Sequence, residues 1–305
     1  MLNIPPPRDP ELTAQLRAIG AAWRGNIREA GDRTKALYAP LLASAPKAHV
    51  RVDRNQRYGE HERQVLDIYR PGTLPHGPAP VIAFVHGGAF VRGAKDISDD
   101  MYGNVLTWFA RQGCIGVNVE YRLAQDAPYP GGAQDVAQAC GWIARHIHQW
   151  DGDAGRVCLV GHSAGGTHAA AYACDPAVGG APQVQALVLV SARLRADVRA
   201  DNPNAAGVRA YFGDDAAQLD AHSPTTHAAR LQLPVLVVTA EFENPWLDVY
   251  GLEFAHAVGQ ARKAAPLHLS VADHNHVSIM AHFNTQERWL GDQILLFCER
   301  AFGKA

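Results

Sequence analysis

The residues of this 305-residue chain with the plainest chemical potential are Gly161-His162-Ser163-Ala164-Gly165. A serine hydroxyl is a weak nucleophile until a neighbouring base takes its proton, and its oxygen must stand clear of its own backbone. Small residues two positions either side of a serine meet the second need, because they let a strand turn sharply into a helix and lift Oγ above a sheet. The pentapeptide is weak evidence by itself, but the apolar run Val157 to Gly161 leads into it and the small-residue segment Thr167 to Cys174 follows. This setting predicts Ser163 as the nucleophile of an acyl transfer, with a helix N-terminus behind it where negative charge develops.

Acyl transfer also requires preorganised donors for the oxyanion of its tetrahedral intermediate. The apolar run Val81 to Val85 ends in His86-Gly87-Gly88-Ala89-Phe90, where two glycines free the backbone to aim its N–H groups at a ligand. The expected donors are the N–H groups of Gly87 and Gly88, with that of Ala164 directly after the nucleophile. His86 is read as holding the loop still, since a residue next to the donors serves best that way.

A serine raised in this manner takes its acid and then its histidine from loops after later strands. The run Leu267 to Ala272 is followed by Asp273-His274-Asn275-His276-Val277-Ser278, and Leu233 to Ala240 by Glu241-Phe242-Glu243-Asn244-Pro245-Trp246. His276 is favoured as the base because it stands further past the strand end, and His274 is read as structural. Glu243, beyond the strand end and before Pro245, is favoured as the acid, with Glu241 and Asp248 kept as alternatives. The carboxylate would fix one imidazole tautomer and stabilise the imidazolium.

These residues need a scaffold, and the apolar runs supply it. Val81 to Val85, Ile115 to Tyr121, Val157 to Gly161, Val184 to Val190, Leu233 to Ala240 and Leu267 to Ala272 show little alternation between apolar and polar residues, the pattern of parallel strands buried on both faces. Gln64 to Tyr69 alternates and reads as part of a leading antiparallel pair. Helical spacing covers Asp135 to Trp150 and Trp289 to Phe302. Residues 1–50 form a helical arm, helix-like around Glu11 to Ala30, and residues 51–305 an α/β domain interrupted by a long polar insertion at about 193–231, read as a cap. Phe90, Met101, Tyr102, Trp108, Tyr211, Phe212 and Trp246 lie on segments placed to overhang the site, and Phe90 and Trp246 are taken as substrate contacts.

Composition excludes several function classes. At 47% hydrophobic, 19% charged and a formal charge of −2, the chain has no electrostatic footprint for nucleic acid and no charge run for a membrane surface. No apolar stretch approaches the ~18 residues of a membrane span, and the proline-rich start lacks the apolar core of a signal peptide. Five cysteines without a C-x-x-C pair fit a reducing cytoplasm better than a disulfide framework. Asp273, His274 and His276 are too cramped on one loop for a metal site, and His146 and His148 face different ways on a helix. Neither metal nor cofactor is expected.

Together these residues resemble the α/β-hydrolase superfamily, and within it the H-G-G-type carboxylesterases and the arylformamidase (kynurenine formamidase-like) group. The resemblance runs from about Arg51 to the C-terminus and includes Glu120-Tyr121-Arg122-Leu123, Tyr129-Pro130 and Gln134-Asp135-Val136. It implies a mostly parallel sheet with helices on both faces and a small cap, and a structural role for Asp135. It also lays the family's A/G-E-x-D-x-P acid loop onto Ala240 to Pro245, with Glu243 where an aspartate is usual, and Ala89 where lipase-like relatives often have a third glycine. The expected activity is hydrolysis of a carboxylic ester through an acyl-enzyme. Amide or arylformamide hydrolysis by the same residues is the alternative chemistry, and a non-catalytic ligand-binding protein of the same fold the alternative of another class. The expected partner is a small-molecule ester or amide; the arm leaves a homo-oligomer open.

Overall fold

The central strands are apolar on both faces because both faces are covered. In the computed structural model, which describes residues 9–73, 77–98 and 101–303, the described residues form one eight-stranded sheet. Its strands are β1 (Val50–Arg57), β2 (Val65–Pro71), β3 (Ala79–Val85), β4 (Ile115–Val119), β5 (Gly152–His162), β6 (Ala186–Val190), β7 (Val235–Phe242) and β8 (Leu267–Asn275). They lie in the order β1-β2-β4-β3-β5-β6-β7-β8. The β1–β2 and β2–β4 pairs are antiparallel and the remaining pairs parallel. Every residue of β4 and β6 is buried.

Alternate side chains feed two cores. Val81, Ala83 and Val85 of β3 join a cluster with Val136 and Ala139 of α4 (Gly131–His146), Ala169 of α5 (Ala164–Cys174) and Phe254 of α9 (Leu247–Arg262). Ile82 and Phe84 join the opposite cluster, with Leu106 and Phe109 of α3 (Gly103–Arg111) and Ile294 and Phe297 of α11 (Trp289–Ala301). All but α11, which follows the last strand, connect parallel strands across the sheet, so much of each nonpolar face is buried by the crossovers that the topology requires anyway.

The segment read as helical around Glu11 to Ala30 is two helices, α1 (Pro10–Ala21) and α2 (Ile27–Ala43). Each begins at its own cap: Asp9 accepts the Glu11 N–H at 2.8 Å and Asn26 accepts the Glu29 N–H at 3.2 Å, which starts a new helix after a short turn. Leu16 and Tyr38 then bury in the core shared with α3 and α11. The polar insertion at 193–231, read as a cap without helical spacing of its own, contains α6 (Ala205–Phe212), α7 (Ala216–Ala221) and α8 (Pro224–His227). They are too short for a periodic signal. Asp215 caps one through Gln218 N–H, and Pro224 opens another at its first turn.

Strand ends differ from the sequence expectation where backbone pairing outlasts the apolar run. The strand expected to stop at Ala240 continues to Phe242, and the one expected to stop at Ala272 continues to Asn275. After a register shift beyond Ala240, Phe242 pairs with Asn275. The ladder tolerates the polar residues because its bonds are main-chain bonds. Its consequence is positional: the residues following the pair, Glu243 and His276, leave adjacent strands side by side.

Candidate active site

Ser163 occupies the turn between β5 and α5 with φ +55° and ψ −121°. A non-glycine residue there is strained and persists only where its surroundings dictate it. The Ser163 N–H donates to Val190 O at 3.0 Å and Thr167 N–H donates to Ser163 O at 3.2 Å, which grips the turn from the neighbouring strand and from the helix. The glycines are steric requirements. A Cβ on Gly165 would collide with the carbonyl oxygens of Val85 and His86, and one on Gly161 would lie 2.6 Å from Gly165 O.

The structure brings the three residues favoured from sequence into one chain. His276 Nε2 lies 3.0 Å from Ser163 Oγ, and His276 Nδ1 lies 2.9 Å from Glu243 Oε2. The other Glu243 oxygen accepts the Ala240 N–H at 2.9 Å, so the carboxylate is oriented by the strand that precedes it. Glu243 is 1% exposed and His276 8%, which leaves the pair largely dry and their interaction weakly screened. The His276 N–H donates to Phe242 O at 3.2 Å. The longer glutamate side chain thus reaches from a position where the resembled family has aspartate.

The alternatives for the acid lie elsewhere. Glu241 is exposed within β7 and accepts the Asp273 N–H at 2.6 Å. Asp248 sits in the first turn of α9 and accepts the Val249 N–H at 3.0 Å. Asp273, His274 and His276 are not gathered for a metal: Asp273 pairs with Arg17 at 2.5 Å, His274 with Glu287 at 2.9 Å, and His276 with Glu243.

In the loop after β3, His86 is held at both ring nitrogens, by Gly87 O at 2.8 Å and Glu120 Oε1 at 3.0 Å. Burial pushes the Glu120 pKa up, but the His86 hydrogen bond and charge, the Lys95 N–H and Arg63 together outweigh it and hold the carboxyl below its ordinary value. Gly88, at φ +151°, bends the loop, and a Cβ there would collide with Arg92 O. Gly87 departs from the sequence expectation. Its N–H faces a partner within the protein, Tyr102 Oη at 3.3 Å, so of the three expected donors it is the one already engaged. The Ala164 N–H is the first of α5, where amides lack an intrahelical acceptor.

The expected substrate contacts differ from each other. The Phe90 ring is 1% exposed. It stacks on Tyr211 at 5.0 Å and meets Phe212 and His168 edge-on, so it shapes a wall from within. Trp246 is half-buried, donates Nε1–H to Asp201 at 2.8 Å, carries Arg199 over its ring at 4.3 Å, and lines an open cavity of about 750 Å³ with Ile27, Pro203 and Pro245.

Asp135 apart, several residues that support the site escaped the sequence reading. Trp23, in the turn between α1 and α2, donates Nε1–H to Asn244 Oδ1 at 3.1 Å, and Asn275 Nδ2–H donates to Thr34 Oγ1 of α2 at 2.9 Å, so the N-terminal arm holds residues adjacent to both Glu243 and His276. Asp135, fully buried, binds Arg122 through two carboxylate oxygens and takes a bond from Gln64. Only the Asp135 role had a signal in the sequence, through the family resemblance. The others are contacts between distant segments with no local pattern.

A parallel sheet entered by an antiparallel strand pair, with a strained serine after β5 and a carboxylate and histidine after β7 and β8, is the α/β-hydrolase fold, and this chain has it. Residues 66–178 match the family model described as BD-FAE. Esterase LipI of Mycobacterium tuberculosis is 42% identical over 107 residues, 35% of this chain and 32% of that protein; the chain matches about a third of the length of the first curated relatives. Among solved structures, a bacterial heroin esterase is similar with a TM-score of 0.73 at 24% identity, over 97% of this chain and 98% of that one. Esterase B of Lactobacillus rhamnosis, in a tributyrin phosphonate inhibited form, gives 0.72 at 21% identity over 97% and 96%. These structural likenesses establish the fold. No described helix is long and apolar enough to cross a membrane.

Proposed function

We propose that this chain is a serine hydrolase that cleaves small carboxylic esters through an acyl-enzyme. The observation that carries this reading is the continuous hydrogen-bonded chain Ser163 Oγ, His276, Glu243 on a strained turn. His276 Nε2 takes the hydroxyl proton as Ser163 Oγ attacks the carbonyl carbon, and Glu243 stabilises the imidazolium. The oxyanion is received by the N–H groups of Gly88 and Ala164, with Gly87 fixed behind them. Collapse breaks the ester C–O bond while His276 returns the proton to the departing alkoxide. Water then attacks the acyl-serine with His276 again as base, releasing the acid and restoring Ser163.

The relatives' names support the choice of an ester, and the phosphonate inhibition named for esterase B is the behaviour of an activated serine. The helical arm and the insertion at 193–231 serve as a cap, with Trp246 and the buried Phe90 shaping the substrate's surroundings. Five free, buried cysteines support a reducing compartment, and we infer the cytoplasm.

Labelling with an alkyl organophosphonate tests the proposal: wild-type protein should take up one label at Ser163 and Ser163→Ala none, and folded wild type that resists labelling would refute it. A panel of p-nitrophenyl esters against N-formyl arylamines decides the bond. Higher kcat/KM on esters is expected, and preference for formamides would replace the ester reading with the arylformamidase one.

A further inference from the structure

Three contacts beside the nucleophile run in sequence. The Gly87 N–H donates to Tyr102 Oη at 3.3 Å, Tyr102 Oη lies 3.1 Å from His162 Nδ1, and His162 Nε2 lies 3.0 Å from the carbonyl oxygen of His276. Chemistry fixes their direction. A peptide carbonyl only accepts, so His162 Nε2 carries the hydrogen. In a neutral imidazole the other nitrogen, Nδ1, is then an acceptor, so the Tyr102 hydroxyl donates to it. The lone pairs left on Oη face the Gly87 N–H. With the ring neutral, no step can be reversed without setting a buried donor against a donor or a buried acceptor against an acceptor.

The protonation states agree with this direction. Burial and the neighbouring His276 and His86 push the His162 pKa well below its ordinary value, so the ring stays neutral. Burial pushes the Tyr102 phenol up, so it keeps its proton. The backbone supplies a further observation: Tyr102 stands at φ +74° immediately before α3, a cost tolerated where the surroundings over-determine a position.

We propose, resting on the ester-hydrolase reading, that Tyr102 and His162 are positioning residues. They form a one-directional relay that ties the loop carrying the oxyanion donors to the backbone of the catalytic base. Each end is a place where small displacements cost rate. At one end the relay fixes Gly87, next to the Gly88 donor. At the other it holds the His276 carbonyl, while the His276 N–H is held by Phe242 O. The histidine between Gly161 and Ser163 is thereby a coupling element between loops that leave β3 and β8, which are four strands apart in the sheet.

The test has a kinetic and a spectroscopic part. Tyr102→Phe removes Oη and keeps the ring that packs 5.3 Å from Phe84. It should lower kcat about tenfold with KM nearly unchanged, the size of one lost buried hydrogen bond expressed only in the transition state. His162→Leu should act similarly, and the double variant should be no slower than the slower single one, since both break one chain. Multiplicative losses, an unchanged kcat, or a faster Tyr102→Phe enzyme would overturn the relay; the last would mean that the hydroxyl withholds the Gly87 N–H from substrate. Nitrogen-15 spectra of Ser163→Ala protein should show His162 as the neutral Nε2–H tautomer, and the Nδ1–H tautomer or an imidazolium would overturn it regardless of activity. Wild type that neither labels nor hydrolyses esters defeats the ester reading instead, and the tautomer still decides the relay.

Discussion

Two histidines separated by a single residue each sit between a serine and a glutamate. His276 links Ser163 to Glu243; His274 links Ser278, at 3.0 Å from Nδ1, to Glu287, at 2.9 Å from Nε2. As hydrogen-bond diagrams the two sets are alike, yet their surroundings differ in every respect that chemistry uses. Ser278 is fully buried, its oxygen already accepts the Asn275 N–H at 2.8 Å, and it starts the short helix α10 (Ser278–Ala281). Ser163 is only partly buried, stands on a strained turn, and lies against Gly87 in the loop proposed to carry the oxyanion donors. A serine, histidine and carboxylate in line therefore do not make a nucleophile. Exposure, a free lone pair and a prepared site for the oxyanion do.

The strongest way to break this comparison is to remove each serine. Ser163→Ala should lower kcat/KM by about 10⁴-fold or more, whereas Ser278→Ala should keep Ser163 reactive to phosphonate; comparable losses in labelling would erase the distinction. Removing the carboxylates sharpens it. Glu243→Gln should cost about 10²- to 10⁴-fold in kcat, because the imidazole loses its orienting charge. Glu241→Gln and Asp248→Asn should remain within about twofold, since neither group reaches the histidine. A near-normal Glu243→Gln enzyme would move the acid elsewhere.

Glu287→Gln should act on the fold instead. It disturbs a part-buried hydrogen bond to a carboxylate, for which a loss of about 1.5 to 3 kcal/mol is typical. Chemical denaturation should report that loss, and an unchanged midpoint would show that the His274 set does not support its loop.

A third histidine extends the comparison to one with no carboxylate. His168, 1% exposed, is ringed by Phe90, Tyr121 and Tyr211, and burial lowers its pKa to about 3. Between that value and the ordinary value near 6.5 the unfolded chain binds more protons than the native one. Stability therefore rises with pH across this window and falls on acidification, by at most about 1.4 kcal/mol per pH unit from this group. His168→Leu should flatten the dependence of unfolding free energy on pH between 6.5 and the acid limit of folding. An unaltered slope would show that His168 is not the group responsible.

Ser163, His276 and Glu243 were legible because each follows an apolar strand in an order that the chemistry imposes, and the flanking glycines and Pro245 mark the turns. The strands themselves were legible from their apolar runs, because burial on both faces leaves no room for polar residues. The ends of β7 and β8 were not, since Glu241 and the polar residues at 273–275 interrupt the apolar runs while the strands go on pairing through backbone atoms that every residue has. The break between α1 and α2 and the helices inside the insertion were missed for a related reason: capping by Asn26 or Asp215 is a single-residue signal, outweighed by the surrounding composition.

What the sequence by itself determined is the set of reactive groups and their order along the chain, because strand burial and turn chemistry are local properties. Only the tertiary structure decided which groups meet. The register that pairs Phe242 with Asn275 sets Glu243 beside His276 rather than His274. The approach of α3 to the loop after β3 turns the Gly87 N–H toward Tyr102. Both depend on how segments far apart in the chain are brought together, and a hydrogen bond of 3 Å records a packing geometry that no residue spacing encodes.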